Sequence, residues 1–429
     1  MNKSLYIVAF SLAFATTGIA QNNEGQDKVI DLGTQTTTEL RKTQAVSTIY
    51  SDELDKNATT SPYNAIYGLL PGLSVMQNTS WGTDKSRLNV RGRGSLNGDT
   101  PLFVVDGFAR PLEYINLSEI ESISVLKDGA ATALWGGRGA NGVVLITTKR
   151  GIYSQKDIKV DYKFGLGFPV NQPEFADAYT YAKARNEALR YDGLQPDMDE
   201  ASFLSGGNSD LYPNVDWQKE ALRNHTTSHQ LDITFRGGGK RLRYFSVLNY
   251  KNDMGLLNSK YTDYTDRYNS QMKKYFLNLR MNLDVDITDA TKLKLSMLGM
   301  LRETKRPTTS EATLFEQIFN TPSAAFPVQT QNGFWGSNNV LKTNPIANLA
   351  DVGYYKLNQR MLQADLRLVQ DLSVLTRGLS AELAIAYDNN ATYQETAKKS
   401  FMYQTIEKGI DGEPIYTNYG NPNDELEIS

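Results

Sequence analysis

Between Tyr275 and Ile287 every second residue is apolar. Tyr275, Leu277, Leu279, Met281, Leu283, Val285 and Ile287 alternate with Phe276, Asn278, Arg280, Asn282, Asp284 and Asp286. Period-2 alternation is the signature of a β-strand with one apolar and one polar face. The same pattern marks Ile158–Leu166, Leu231–Phe235, Arg241–Lys251, Lys292–Leu301, Leu362–Val369 and Leu379–Tyr387. A soluble sandwich alternates too, usually over about 5–6 residues. The longest runs here exceed that and approach the roughly 9–11 residues that carry a tilted strand across a membrane. The connections are uneven as well. "RGGGK" and "TDA" read as tight turns, whereas "KNDMGLLNSKYTDYTDRYNSQM" and Glu303–Asn358 read as long external loops. Short turns at one end and long loops at the other favour a membrane β-barrel. A secreted β-protein is the other reading of the pattern.

The N-terminus points to export. Lys3 supplies a positive start, Leu5–Ala15 an apolar core, and Gly18-Ile19-Ala20 a small-x-small cleavage site, so residues 1–20 read as a signal peptide. That apolar run is too short to span a bilayer as a helix. The chain has no Cys, which removes disulfides and an acylated N-terminal Cys. A net charge of −3 over 429 residues gives no basic field for nucleic acid.

Residues 21–44 are polar and read as a flexible arm. One apolar island, "DKVIDLG" (Asp27–Gly33), interrupts them. From 45 to 151 the pattern is a compact α/β domain. "AVSTIYSDEL" is a strand leading into a helical stretch, which Thr60 or Ser61 caps with Pro62 at its first position. "LSVMQN", "SRLNVRG", "PLFVVDG" and "GVVLITT" are strands, and "NLSEIESISVL" is a short helix running into another. The Gly-rich "RGRGSLNG" lacks the spacing of a phosphate loop and sits in no dinucleotide-binding unit.

Three ordered pieces, "NVRGRGS" (Asn89–Ser95), "PLFVVDG" (Pro101–Gly107) and "SISVLKDGAATALWGGRGANGVVLITTKRG" (Ser122–Gly151), closely resemble the plug domain of SusC/RagA-type TonB-dependent outer-membrane transporters. Asn214–Tyr250 resembles the early barrel strands of that family. The resemblance implies an α/β plug followed by antiparallel transmembrane β-barrel strands, with a family barrel of about 22 strands. It places the chain in the outer membrane, arm and plug on the periplasmic side. It also implies two protein partners, the TonB–ExbB–ExbD energising complex and a SusD-like surface lipoprotein, with oligosaccharides or peptides as substrates. Asp27, Lys28, Val29, Ile30 and Asp31 then stand where the family has its TonB box, an extended segment that adds to a sheet edge.

On this reading the Gly-rich stretches are seal and packing residues, where the plug backbone approaches the wall. The candidates are Arg91, Gly92, Arg93, Gly94, Asp106, Gly107, Lys127, Asp128, Gly136, Arg138, Gly139, Asn141 and Gly142. Arg138, Lys127, Asp128, Lys149 and Arg150 are expected to bond polar wall groups. Residues 152–429 supply seven or eight strands. An eight-stranded barrel has room only for its own side chains, so it cannot enclose a plug of roughly 105 residues. The expectation is the first part of a longer barrel, with unpaired strand edges. The alternatives are a siderophore or cobalamin receptor and a truncated remnant without transport. His225 and His229, the only His, gain no Cys or carboxylate partners in the sequence, so neither a metal site nor a cofactor is expected. No nucleophile elbow or acid pair points to an enzyme.

Overall fold

The computed structural model describes residues 8–13, 29–33, 36–38, 41–57, 59, 61–77, 86–95, 98–170, 172–421 and 425–429. All seven alternating segments become strands of one antiparallel wall, each hydrogen-bonded to the next in chain order. They are Lys156–Gly167, Thr226–Gly238, Leu242–Met254, Lys273–Asp286, Thr291–Pro307, Gly353–Asp371 and Ser380–Lys398. The wall is an open sheet. Val8–Ala13, inside the apolar run read as a leader, lies antiparallel along the first strand, Val8 opposite Leu166 and Ala13 opposite Asp161. Glu427–Ile428 pairs with the last strand.

The faces of the wall are inverted relative to a soluble sheet. Leu277, Leu279 and Met281 are 39–50% exposed, while Asn278, Arg280 and Asn282 between them are at most 1% exposed. Ile158, Val160, Leu248, Met297, Leu301, Leu362, Leu383 and Ile385 continue the exposed apolar band across neighbouring strands. A sheet in water buries its apolar face. One that buries amides and an arginine while presenting leucines outward is built for a hydrocarbon surround. The apolar-clad barrel reading therefore displaces the secreted β-protein.

Residues 46–148 form a five-stranded sheet in the order Val46–Tyr50, Ile120–Leu126, Val143–Thr148, Leu102–Val105, Phe108–Ala109. Within it the Val143–Thr148 and Leu102–Val105 pair is parallel and the rest are antiparallel. Its strands read as continuous apolar runs because both faces are covered. Ile123, Val125, Val144 and Ile146 pack on Leu54, Ile66, Leu88 and Leu112. Val104, Leu126, Val143 and Leu145 pack on Val46, Ala131 and two residues of the arm, Ile30 and Leu32. The arm is thus partly docked, where its polar composition reads as flexible. Val29–Asp31 pairs with Thr36–Thr38, and Ile30 and Leu32 are 2% and 5% exposed because the sheet's second face would otherwise meet water. The helix expected after Ser61 is a single turn, Pro62–Ala65, with Ser61 at its N-cap position and Pro62 first.

The long connections at one end of the wall fold together over a core of their own. Trp217, Leu222, Leu257, Tyr261, Leu314, Ile318, Phe326, Trp335 and Ile346 bury one another. The Trp217 indole N–H donates to the Pro322 carbonyl at 3.1 Å, and that of Trp335 to Asp351 at 3.0 Å. Glu303–Pro307 and Gly353–Asn358, expected as loop, are strand instead: the strands run past the apolar band and carry this headpiece. Turns 239–241 and 287–290 close the opposite end.

Candidate functional site

The polar face of the wall meets the plug, and the contact is a seam of charged and amide groups. At its centre Glu119, at the end of the turn Leu117–Glu119, is fully buried. Arg280 Nε donates to it at 2.5 Å and Asn278 Nδ2 at 2.6 Å. Burial pushes the Glu119 carboxyl above its ordinary value, against the opposing pull of Arg280. Arg280 itself lies between Val247 and Leu298 on the adjoining strands, both nearly inaccessible. The pair therefore sits in an apolar surround where each partner depends on the other.

Arg110 makes a second node. Its Nη1 and Nη2 donate to Asp365 at 2.6 and 2.5 Å, and Nη2 also donates to Asp388 at 2.6 Å. The two-pronged guanidinium thereby spans the last two long wall strands. Near the short-turn end Arg150 donates to Asp284 at 3.1 Å and to Ser296 Oγ at 2.8 Å. Asn282 Nδ2 donates to Thr148 Oγ1 and to the Lys149 carbonyl. Asn116 reaches Asp232 at 3.2 Å. Toward the headpiece Arg302 donates to the Glu113 carbonyl at 2.6 Å. Below it Tyr114 packs on Leu298, Met300 and Met361, an apolar patch within the contact. The Oδ1 atoms of Asn249, Asn278 and Asn282 are buried without a partner among the described residues.

Of the residues singled out from the sequence, Asp106 and Gly107 touch the wall. Both have positive φ, as the two-residue hairpin turn between Leu102–Val105 and Phe108–Ala109 requires. The Asp106 carboxylate accepts from Thr148 N at 3.0 Å and Oγ1 at 2.6 Å, and its carbonyl accepts from Arg367 Nη2 at 2.6 Å. A Cβ on Gly107 would stand 2.9 Å from that guanidinium. Lys149 and Arg150 also lie on the wall, through the contacts above.

The other candidates serve the plug itself. The Asp128 carboxylate accepts from Ala45 N at 2.6 Å and Ala131 N at 2.7 Å, which holds its carboxyl below the usual range. Lys127 Nζ donates to Ser47 Oγ and the Pro71 carbonyl. Arg93 donates to Asp99, and the Arg91 N–H to the Gly72 carbonyl. Asn141 Nδ2 donates to the Gly98 carbonyl, and Gly142 lies where a Cβ would meet Val90 at 2.7 Å. Gly92, Gly94, Gly136 and Arg138 are exposed, and Gly139 is buried against Thr132 and Trp135.

Arg110, Asn116, Glu119, Asn278, Arg280 and Asp365 were not singled out. Their signal was the polar half of the alternation, which the structure turns inward. Of the TonB-box candidates, Asp27 and Lys28 lie outside the described residues, and Val29–Asp31 is the short strand against Thr36–Thr38. His229 Nδ1 meets Tyr162 Oη at 2.8 Å and its ring lies against Phe164, while His225 lies against Phe168. The two imidazoles belong to an aromatic cluster at the rim of the apolar band.

A wall that is apolar outside and polar inside, packed on an α/β domain through buried ion pairs, defines a plugged membrane β-barrel. Residues 38–143 match the family described as TonB-dependent Receptor Plug Domain. The TonB-dependent receptor SusC of Bacteroides thetaiotaomicron is 30% identical over 283 residues, 62% of this chain and 26% of SusC. TonB-dependent receptor P26 of Formosa agariphila is 28% identical over 281 residues, 64% of this chain and 26% of that protein. Among solved structures, the RagAB peptide importer in the 'closed-closed' state superposes with a TM-score of 0.66 at 19% identity, over 83% of this chain and 42% of that one. This last likeness carries the fold. Over its plug and first wall strands the chain is similar to TonB-dependent receptors of the SusC/RagA type. It spans about a quarter of the length of the curated relatives it matches.

Proposed function

We propose that this chain supplies the plug and the first wall strands of an outer-membrane importer. Its work is TonB-driven uptake of oligosaccharides or peptides, with a SusD-like surface lipoprotein as lid over the headpiece. The observation that carries the reading is the plug–wall seam. Apart from the Tyr114 patch, the described contacts are directional polar bonds. Such bonds hold a domain in one position and can be exchanged for water one by one when it is pulled, whereas an apolar seal resists separation throughout its area. The neighbour titled a peptide importer supports peptides as one substrate class, and the relative named a TonB-dependent receptor supports the TonB drive.

In this scheme TonB pairs with Asp27–Asp31 as an added strand. That segment must first give up its pairing with Thr36–Thr38 and the burial of Ile30. Cleavage of residues 1–20 on export frees the edge of Lys156–Gly167 for another strand. The test is uptake by cells carrying the full-length gene with codons 27–31 deleted. Uptake of oligosaccharide or peptide should vanish while the protein still reaches the outer membrane. Undiminished uptake would refute the assignment of the segment, and absence of uptake in the undeleted strain would refute the transport reading.

A further inference from the structure

On the outward face of the wall, just above the apolar band, three lysines stand side by side. Lys273 is directly opposite Lys305, and Lys305 directly opposite Lys356, on three adjacent strands. Neighbouring strands are about 4.8 Å apart, so three ammonium-bearing stems share a row roughly 10 Å long. Like charges placed directly opposite destabilise a sheet. The local carboxylates do not cancel the row. Lys356 reaches Glu303 at 3.3 Å, and Glu395, opposite Lys356, accepts from Tyr354 Oη. Lys273 and Lys305 make no ion pair among the described residues, Lys305 lying over the Tyr354 ring at 5.3 Å. Arg360, two rungs further down the same face, adds another positive charge over Tyr393.

Below the row the same face changes in steps. Tyr275 and Tyr393 share a rung with Glu303 and Asn358, Leu277 and Leu301 the next with Arg360, whose guanidinium reaches back over Tyr393, and Gly299 lies between Leu279 and Leu362 on the one after. A Cβ added to Gly299 would meet nothing within 4 Å. Cations, then aromatic rings, then leucines with a side-chain-free notch match the depth profile of a lipid: phosphate, interface, acyl chain. We propose that Lys273, Lys305 and Lys356 bind the phosphate of a lipid headgroup in the leaflet on the headpiece side, with an acyl chain along the Gly299 notch. Phosphoryl oxygens accept several charge-assisted hydrogen bonds at once, which relieves the repulsion along the row. The proposal rests on the wall's spanning a membrane.

Full-length protein in detergent is titrated with dioleoyl phosphatidate, with dioleoylglycerol and with inorganic phosphate, and bound species are counted by native mass spectrometry. The wild type should retain one phosphatidate and no dioleoylglycerol. The K273Q/K305Q/K356Q variant should bind phosphatidate about a hundredfold more weakly, K305Q alone about fivefold, and K273R/K305R/K356R close to wild type. Equal binding by the glutamine variants would overturn the proposal. So would displacement of the lipid by an equal concentration of inorganic phosphate, which would mark a free-anion site. A wild-type chain released from membranes by carbonate without detergent would instead overturn the membrane reading on which the site depends.

Discussion

Replacing Arg280 with Met tests whether the seam holds the plug through charge. Arg280 and Glu119 expose 2% and 0% of their side chains and stand 2.5 Å apart. Removing the arginine leaves a buried carboxylate whose remaining side-chain donor is Asn278. Breaking a buried pair from one side costs about 3–5 kcal/mol, which multiplies the undocked population by roughly two to four orders of magnitude. These 429 residues contain no Cys, so within them a single introduced thiol reports the opening. The substitution M361C places one on the inner wall face, at a position 8% exposed beneath Tyr114. Labelling of that thiol in low urea should accelerate by this factor in R280M and return near the parent rate in E119L/R280M, where neither charge remains.

The pH dependence has a definite sign. Docking raises the Glu119 carboxyl, so protonation favours the docked state. With the arginine gone that shift grows. The R280M defect should therefore be largest at neutral pH and shrink as pH falls toward the ordinary carboxyl range near about 4.3. If R280M labels no faster than the parent, or if the double variant stays as fast as R280M, the pair does not hold the plug.

Arg110→Ala strips both Asp365 and Asp388 of their shared partner and should accelerate the same labelling, by about tenfold or more. Ile30→Asp places a charge in the second plug core, where burial of the isoleucine is worth about 1.5–3 kcal/mol; limited proteolysis should then cleave the arm while the wall stays intact. Leu279→Arg on the outward face should cost about 2–4 kcal/mol of membrane assembly, seen as loss of heat-resistant folded protein in gels. Gly142→Ala forces a Cβ at positive φ to within 2.7 Å of Val90, and should lower the plug's thermal midpoint without moving the protein out of the membrane fraction.

The wall was legible because its period is 2 and its length is set by the bilayer. A one-residue error would put Asn278, Arg280 and Asn282 into lipid, so the pattern admits one register. Which polar residue meets which plug group was not legible. Glu119 and Arg280 are 161 positions apart, and nothing in either local pattern names the other. For the same reason the Gly-rich stretches do not mark the seam. Glycine density reports where backbone is tightly turned, as at Gly142 against Val90, but not what lies beyond the turn. Of the glycines proposed for the seal, Gly107 alone faces these seven strands, because the hairpin Asp106-Gly107 stands at the sheet edge that Arg367 reaches.

The arm shows the opposite failure. Its polar composition is real, yet two apolar residues in it, Ile30 and Leu32, close a sheet face that the plug leaves open. Composition averages over a segment, whereas burial is decided one side chain at a time. That difference bears on mechanism. A segment docked by two side chains and one short strand pair can be lifted at low cost, while the Glu119–Arg280 and Arg110–Asp365 pairs are not reached until force has passed through the plug sheet. On the proposed pull at the arm the order of events is arm first, seam second, and a variant that loosens the arm should leave thiol labelling of the resting M361C protein unchanged.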